Sequence, residues 1–168
     1  MVRASELLLQ ERTPRDVAVA RPRVDAAASR GDVRELVPPH TRHFSSPHSP
    51  VPRTQLLSNG RYAVMVTASG SGYSRCHDMA VTRWREDATA DDTGSYIFVR
   101  DVAGRQTWSA GFQPSGAVPD SYDVSFAEDR AEFLRHDGTI VTRLEVIVSS
   151  EDDAEVRRLS VTNGGVRT

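Results

Sequence analysis

A chain of 168 residues has the length of one ordinary domain, which on folding buries roughly 70% of its unfolded surface; with a formal net charge of −2 and interspersed charges it lacks the basic excess of a nucleic-acid or anionic-membrane surface. All 21 basic residues are arginine, which excludes Schiff-base and P-loop lysine chemistry. The single cysteine, Cys76, excludes an internal disulfide and any zinc site with two thiolates, and the longest N-terminal apolar run, Leu7-Leu8-Leu9, is too short for a signal-peptide core or a membrane span, so the segment is expected to be soluble.

In chain order, residues 4–12 fit about two helical turns capped by Ser5 before Pro14. Of the 9 prolines, all but Pro114 and Pro119 fall at or before Pro52, so residues 1–54 read as a linker or arm, extended apart from a short helical stretch around Asp25–Leu36. From Gln55 the pattern changes to period two, placing a sheet domain over 55–168. Strands are expected over Tyr62–Thr67, Met79–Trp84, Tyr96–Asp101, Gln106–Ser109, Ser121–Ala127, Arg130–His136, Thr139–Ser149 and Glu155–Thr162. Asp137-Gly138 predicts a type I′ hairpin turn and Val102-Ala103-Gly104 a second hairpin. With no helical period of useful length after residue 40, the fold class is all-β: an antiparallel sandwich, because a single sheet must bury its apolar face against another. Asn163-Gly164-Gly165 has the look of a turn into another strand, so the domain is expected to be part of a longer polypeptide.

The run from Ser58 to Gly111 alternates aromatics, arginines and turn glycines at strand spacing, a composition suited to sugar recognition. Gly70-Ser71-Gly72 lacks the Lys-Ser/Thr and the following helix of a phosphate loop and reads as a tight turn bringing Tyr73 toward a ligand. His40, His43 and His48 are interrupted by prolines and have no carboxylate near in sequence, so they read as a solvated loop. Ser74, His77 and Asp78 lack the strand-turn-helix elbow of a catalytic triad, and the acidic pairs Glu86-Asp87, Asp91-Asp92 and Glu151-Asp152-Asp153 sit in turn-like sequence. No catalytic residue, metal or cofactor is expected. Trp84, Trp108, Tyr73, Tyr96 and Tyr122 have faces that stack on sugar rings, and Arg75, Arg83 and Arg85 carry donors for hydroxyls; core packing is the competing use of each ring. The carbohydrate-binding candidates are Tyr73, Ser74, Arg75, Arg83, Trp84 and Trp108.

Leu56-Leu57-Ser58-Asn59-Gly60-Arg61-Tyr62, Gly72-Tyr73-Ser74-Arg75, Val81-Thr82-Arg83-Trp84-Arg85-Glu86-Asp87, Tyr96-Ile97-Phe98-Val99-Arg100-Asp101 and Trp108-Ser109-Ala110-Gly111 together resemble the opening of the phosphorylase module of cyclic β-1,2-glucan synthases, in glycoside hydrolase family 94, formerly glycosyltransferase family 36. Pro119-Asp120-Ser121-Tyr122 and Glu128-Asp129-Arg130-Ala131-Glu132-Phe133 continue the match, and Leu7-Leu8-Leu9-Gln10-Glu11-Arg12 is similar to the linker entering that module. Cys76 departs from the family pattern, which carries tryptophan after Tyr-Ser-Arg. The resemblance implies a galactose-mutarotase-like super-sandwich preceding an (α/α)6 barrel. It implies too that the barrel holds the general acid and the phosphate site of an inverting, metal-free phosphorolysis, so that the family's catalytic residues map onto no position here. The implied partners are a β-glucan oligosaccharide or polysaccharide and the barrel, and the implied location is the cytoplasmic face of an inner-membrane parent. A free-standing carbohydrate-binding module and a structural or oligomerisation domain are the alternatives.

Overall fold

A computed structural model describes residues 40–83 and 92–165, and every regular element among them is a β-strand. They are β1 (Arg42–Phe44), β2 (Thr54–Ser58), β3 (Tyr62–Thr67), β4 (Gly72–Cys76), β5 (Met79–Ala80), β6 (Phe98–Asp101), β7 (Gln106–Ser109), β8 (Ser121–Phe126), β9 (Ala131–Asp137), β10 (Ile140–Val148) and β11 (Glu155–Asn163). The helical turns expected over 4–12 and around Asp25–Leu36 lie outside the described residues.

All pairings are antiparallel: a five-stranded sheet ordered β1-β8-β9-β10-β11, a four-stranded sheet ordered β2-β3-β4-β5, and the ribbon β6-β7. Each expected strand is represented, with β5 shorter than its alternation suggested, and β1, β2 and β4 are additional. β1 arises within the stretch read as the arm: Arg42 pairs with Phe126, and its guanidinium donates to Thr54 O at 2.9 Å, joining the start of β2 to the edge of the larger sheet.

Alternation decides which side chains meet between the sheets. On the larger sheet, register aligns Phe126, Ala131 and Val146 in one inward row and Phe44, Val124, Phe133, Leu144 and Leu159 in the next. Tyr62, Val64 and Val66 of β3 and Leu57 of β2 belong to the same core cluster. Val64, Val124, Phe126, Phe133 and Val146 are at most 1% exposed, and burying side chains of this kind is worth about 1.5–3 kcal/mol each. Phe126 meets Phe44 and Phe133 edge-on, with ring centroids 5.4 and 6.3 Å apart.

The third inward row, Tyr122, Arg135 and Thr142, is polar. Arg135 is fully buried, and its donors are all used: Nε and one terminal nitrogen grip Asp137 at 2.7 Å each. The other terminal contacts reach the carbonyls of Ser109 (3.2 Å), Gly111 (2.8 Å) and Ala117 (3.1 Å). One side chain thus holds the connection after β7 against the larger sheet. The same pair fixes the β9–β10 turn. Asp137 stays in register with Ile140, so the two loop residues are Gly138 and Thr139 rather than Asp137 and Gly138, and only Gly138 has positive φ (60°). That is the pattern of a type II′ turn and corrects the expected type I′. The β6–β7 connection spans residues 102–105 and ends on Arg105 at φ 54°, with Asp101 Oδ1 accepting the Ala103 amide at 2.9 Å.

Candidate functional site

β4 carries three of the six carbohydrate-binding candidates, and pleating sends them to opposite faces. Tyr73 and Arg75 point outward. Tyr73 lies across from Met65, which in turn pairs with Leu56, while Arg75 lies between Ala63 and Ala80. The outer face of the four-stranded sheet therefore carries a half-buried ring, an exposed guanidinium and Leu56 at 60% exposure.

Ser74 points inward and is fully buried; its hydroxyl donates to Glu155 Oε2 at 2.5 Å, and Arg157 Nε holds Oε1 of the same carboxylate at 2.9 Å. The Ser74 backbone is also occupied, its amide donating to Thr82 Oγ1 and its carbonyl accepting the amides of Val81 and Thr82. This arrangement sets residues 81–83 alongside β4 and leaves Arg83 exposed. Trp84 lies outside the described residues. Trp108 sits on β7 opposite Val99 at 2% exposure, with no hydrogen-bond partner for Nε1 among the described residues. The structure thus leaves Arg75 and Arg83 exposed and Tyr73 half-buried, and packs Ser74 and Trp108 inside.

Gly72 is the residue that lets β4 take this position. Its φ is +152°, its amide donates to Thr93 O at 2.7 Å, and a Cβ there would stand 1.9 Å from Met65 O. The preceding turn carries Thr67, Ser69 and Ser71 hydroxyls within hydrogen-bond reach of one another, and Ser69 O accepts the amides of Phe112 and Gln113, so the Gly-Ser-Gly segment packs against protein rather than an anion.

The Asn59-Gly60-Arg61-Tyr62 motif is an inter-sheet clamp. Asn59 Oδ1 closes its own turn by accepting the amides of Arg61 (2.9 Å) and Tyr62 (2.8 Å). Its Nδ2 donates to Ser149 O (2.8 Å) and Asp152 O (2.9 Å), and Arg61 reaches Glu151 O (2.8 Å) and Asp153 Oδ1 (2.7 Å). The acidic run 151–153 is the β10–β11 loop so held. The histidines of the proline-rich stretch separate: His43 lies 3.8 Å from Asp123, and His48 packs edge-on against Phe112.

Sequence reasoning passed over Arg135 and Glu155 and read Asp153 only as part of a turn-like acidic run; each of the three also has a partner distant in sequence. The Arg135-x-Asp137 and Glu155-x-Arg157 spacings, which put opposite charges on one face of a strand, were the local signals. Burial raises the pKa of Tyr122 strongly, with the Arg135 charge pulling the other way, while its hydroxyl donates to Ala68 O at 2.8 Å. Burial and then the Glu155 charge raise that of Tyr62, against a hydrogen bond from Ser74. A cleft of about 300 Å³ opens between Leu57, Asn59, Glu128, Asp129 and Ser150, and no candidate residue lines it. Tyr73 and Arg75 lie on the outer face of the four-stranded sheet, away from this cleft.

The family profile "Glycosyl hydrolase 94, supersandwich domain" matches residues 38–168. Cyclic beta-(1,2)-glucan synthase NdvB of Rhizobium meliloti (strain 1021) is 41% identical over 166 residues, 98% of this chain and 6% of its own length. N,N'-diacetylchitobiose phosphorylase of Vibrio furnissii is 28% identical over 125 residues, covering 71% of this chain and 16% of its length. 3-O-beta-D-glucopyranosyl-beta-D-glucuronide phosphorylase of Paenibacillus borealis is 24% identical over 127 residues, 74% of this chain and 15% of its length. The chain therefore spans a small part of each of these relatives.

Proposed function

The chain belongs to the glycosyl hydrolase 94 supersandwich family, and from that premise we propose that it is the non-catalytic, carbohydrate-contacting and scaffolding portion of an enzyme that builds or phosphorolyses β-1,2-glucan. The observation that carries this reading is the 41% identity across 98% of the chain to a relative named for that glucan. Two further relatives are named for different sugars yet match over 71% and 74% of the chain. A domain common to enzymes of different substrate suits support of a catalytic partner, with sugar contact through exposed groups that vary.

In this reading Tyr73 stacks on a sugar ring while Arg75 and Arg83 donate to hydroxyls. Among the described residues the inward surface is taken up by the core and the Ser74–Glu155–Arg157 network, which supports assigning the chemistry to a partner domain, the (α/α)6 barrel that the family resemblance implies. Among the described residues no helix is long and apolar enough to cross a membrane; a position on the cytoplasmic face of a membrane-bound parent is part of the proposal.

Calorimetric titration of the chain with β-1,2-glucan oligosaccharides tests the contact. Binding is expected, with Tyr73→Ala costing roughly 0.5–1.5 kcal/mol and Arg75→Ala weakening it as well, and no glucose 1-phosphate released when inorganic phosphate is added. Heat unchanged by either substitution would remove this face from the sugar site, and release of glucose 1-phosphate would overturn the non-catalytic reading.

A further inference from the structure

We propose that Cys76, His77 and Asp153 form a binding site for a thiophilic divalent cation of the zinc class. Their donor atoms, one thiol sulfur, one imidazole nitrogen and one carboxylate oxygen, lie within 4.8 Å of one another. Residues 76 and 77 end β4 and open its turn, whereas Asp153 arrives from the β10–β11 loop, so the cation would join the two principal sheets.

Three features prepare the geometry. The Asp153 carboxylate is divided: Oδ1 takes Arg61 Nε at 2.7 Å, and Oδ2 turns to His77 Nε2 at 3.6 Å, so the arginine orients the group without occupying the ligating oxygen. The loop bearing it is fixed by Asn59 and Arg61 through the carbonyls of Ser149, Glu151 and Asp152. His77 is held in the left-handed region at φ 51°, with its amide donating to Arg61 O at 2.7 Å, while Cys76 is half-buried in register with Tyr62.

Tetrahedral zinc with bonds of about 2.0–2.3 Å places its donors roughly 3.3–3.8 Å apart. The His77–Asp153 pair already has that separation, and side-chain rotation of the exposed His77 and Asp153 brings the set together. Thiolate and imidazole ligands favour zinc or cobalt over magnesium or calcium, and a thiolate with a carboxylate balances the cation's two charges. Three protein ligands leave a fourth position for water or a ligand oxygen. No local sequence pattern announces the site, because its third ligand is 76 positions beyond His77.

Titrating the metal-free chain with cobalt(II) under reducing conditions tests this. A thiolate-to-cobalt charge-transfer band is expected, with displacement by zinc and a rise in thermal midpoint on zinc addition. Cys76→Ser should abolish the band. His77→Gly, which suits the left-handed backbone, and Asp153→Asn, which keeps an oxygen for Arg61, should each weaken cobalt binding roughly tenfold or more, as loss of even an outer partner of a metal ligand typically costs 10–100-fold. Absence of the band, or a band indifferent to both His77→Gly and Asp153→Asn, would overturn the proposal, the second result reducing it to adventitious binding by one thiol.

Discussion

The two faces of the sandwich strand β4 have opposite fates. Inward, Gly72 is fixed by a backbone contact and Ser74 by the half-buried Glu155 carboxylate; outward, Tyr73 lies across from Met65, and Arg75 lies between Ala63 and Ala80. The same contrast runs through the larger sheet, where Arg135 uses every donor inside while Arg143 on the outer side pairs with Glu132 at half exposure. Position relative to the core decides whether a polar residue is locked into the architecture or stays at the surface, and five measurements bear on that contrast.

Gly72→Ala should be the most damaging, since a methyl 1.9 Å from Met65 O displaces backbone. A loss of at least about 4 kcal/mol is expected in urea unfolding followed by circular dichroism. Arg135→Met should cost about 3–5 kcal/mol in the same assay, because Asp137 is left without its counter-charge and three carbonyls lose their donors. Alkaline pH acts on the inner face through Tyr122 and Tyr62. Both are raised above the ordinary value of 10.0 when folded, so their contribution is complete below about pH 10 and is lost as pH climbs from there through the folded values. Urea midpoints should hold up to about pH 10 and fall above it, less steeply in Tyr122→Phe.

Two smaller effects sharpen the contrast. Thr142 is fully buried, and its hydroxyl has no partner among the described residues, so Thr142→Val should stabilise by about 1 kcal/mol in the urea assay, a gain available only at an unsatisfied inner position. On the outer face, Arg75→Ala should change folding stability by less than about 0.5 kcal/mol while weakening glucan binding. A large stability loss there would mean that the outer face is structural too.

The strands β8, β9 and β10 were legible because their inward residues are mostly apolar and alternate cleanly. β4 was not, since its inward positions are glycine, serine and cysteine, chosen for close approach and hydrogen bonding, and hydrophobic periodicity has nothing to register there. The hairpin after β9 was placed one residue early because the sequence signal of Asp-Gly carries no information that Asp137 is held in the strand by Arg135. Of the proposed sugar-facing set, residue type pointed to Tyr73 and Arg75, but the same reasoning could not separate them from Ser74 and Trp108, whose inward orientation follows from register and from packing set by distant residues.

The clamp of Asn59 and Arg61 on the β10–β11 loop joins positions 90–93 apart in the chain. Contacts of such separation demand that a long intervening segment be ordered before they reward its ordering. A lock that closes late predicts that Asn59→Ala speeds unfolding in stopped-flow measurements and leaves the refolding rate nearly unchanged, so that the clamp would set how slowly the two sheets come apart.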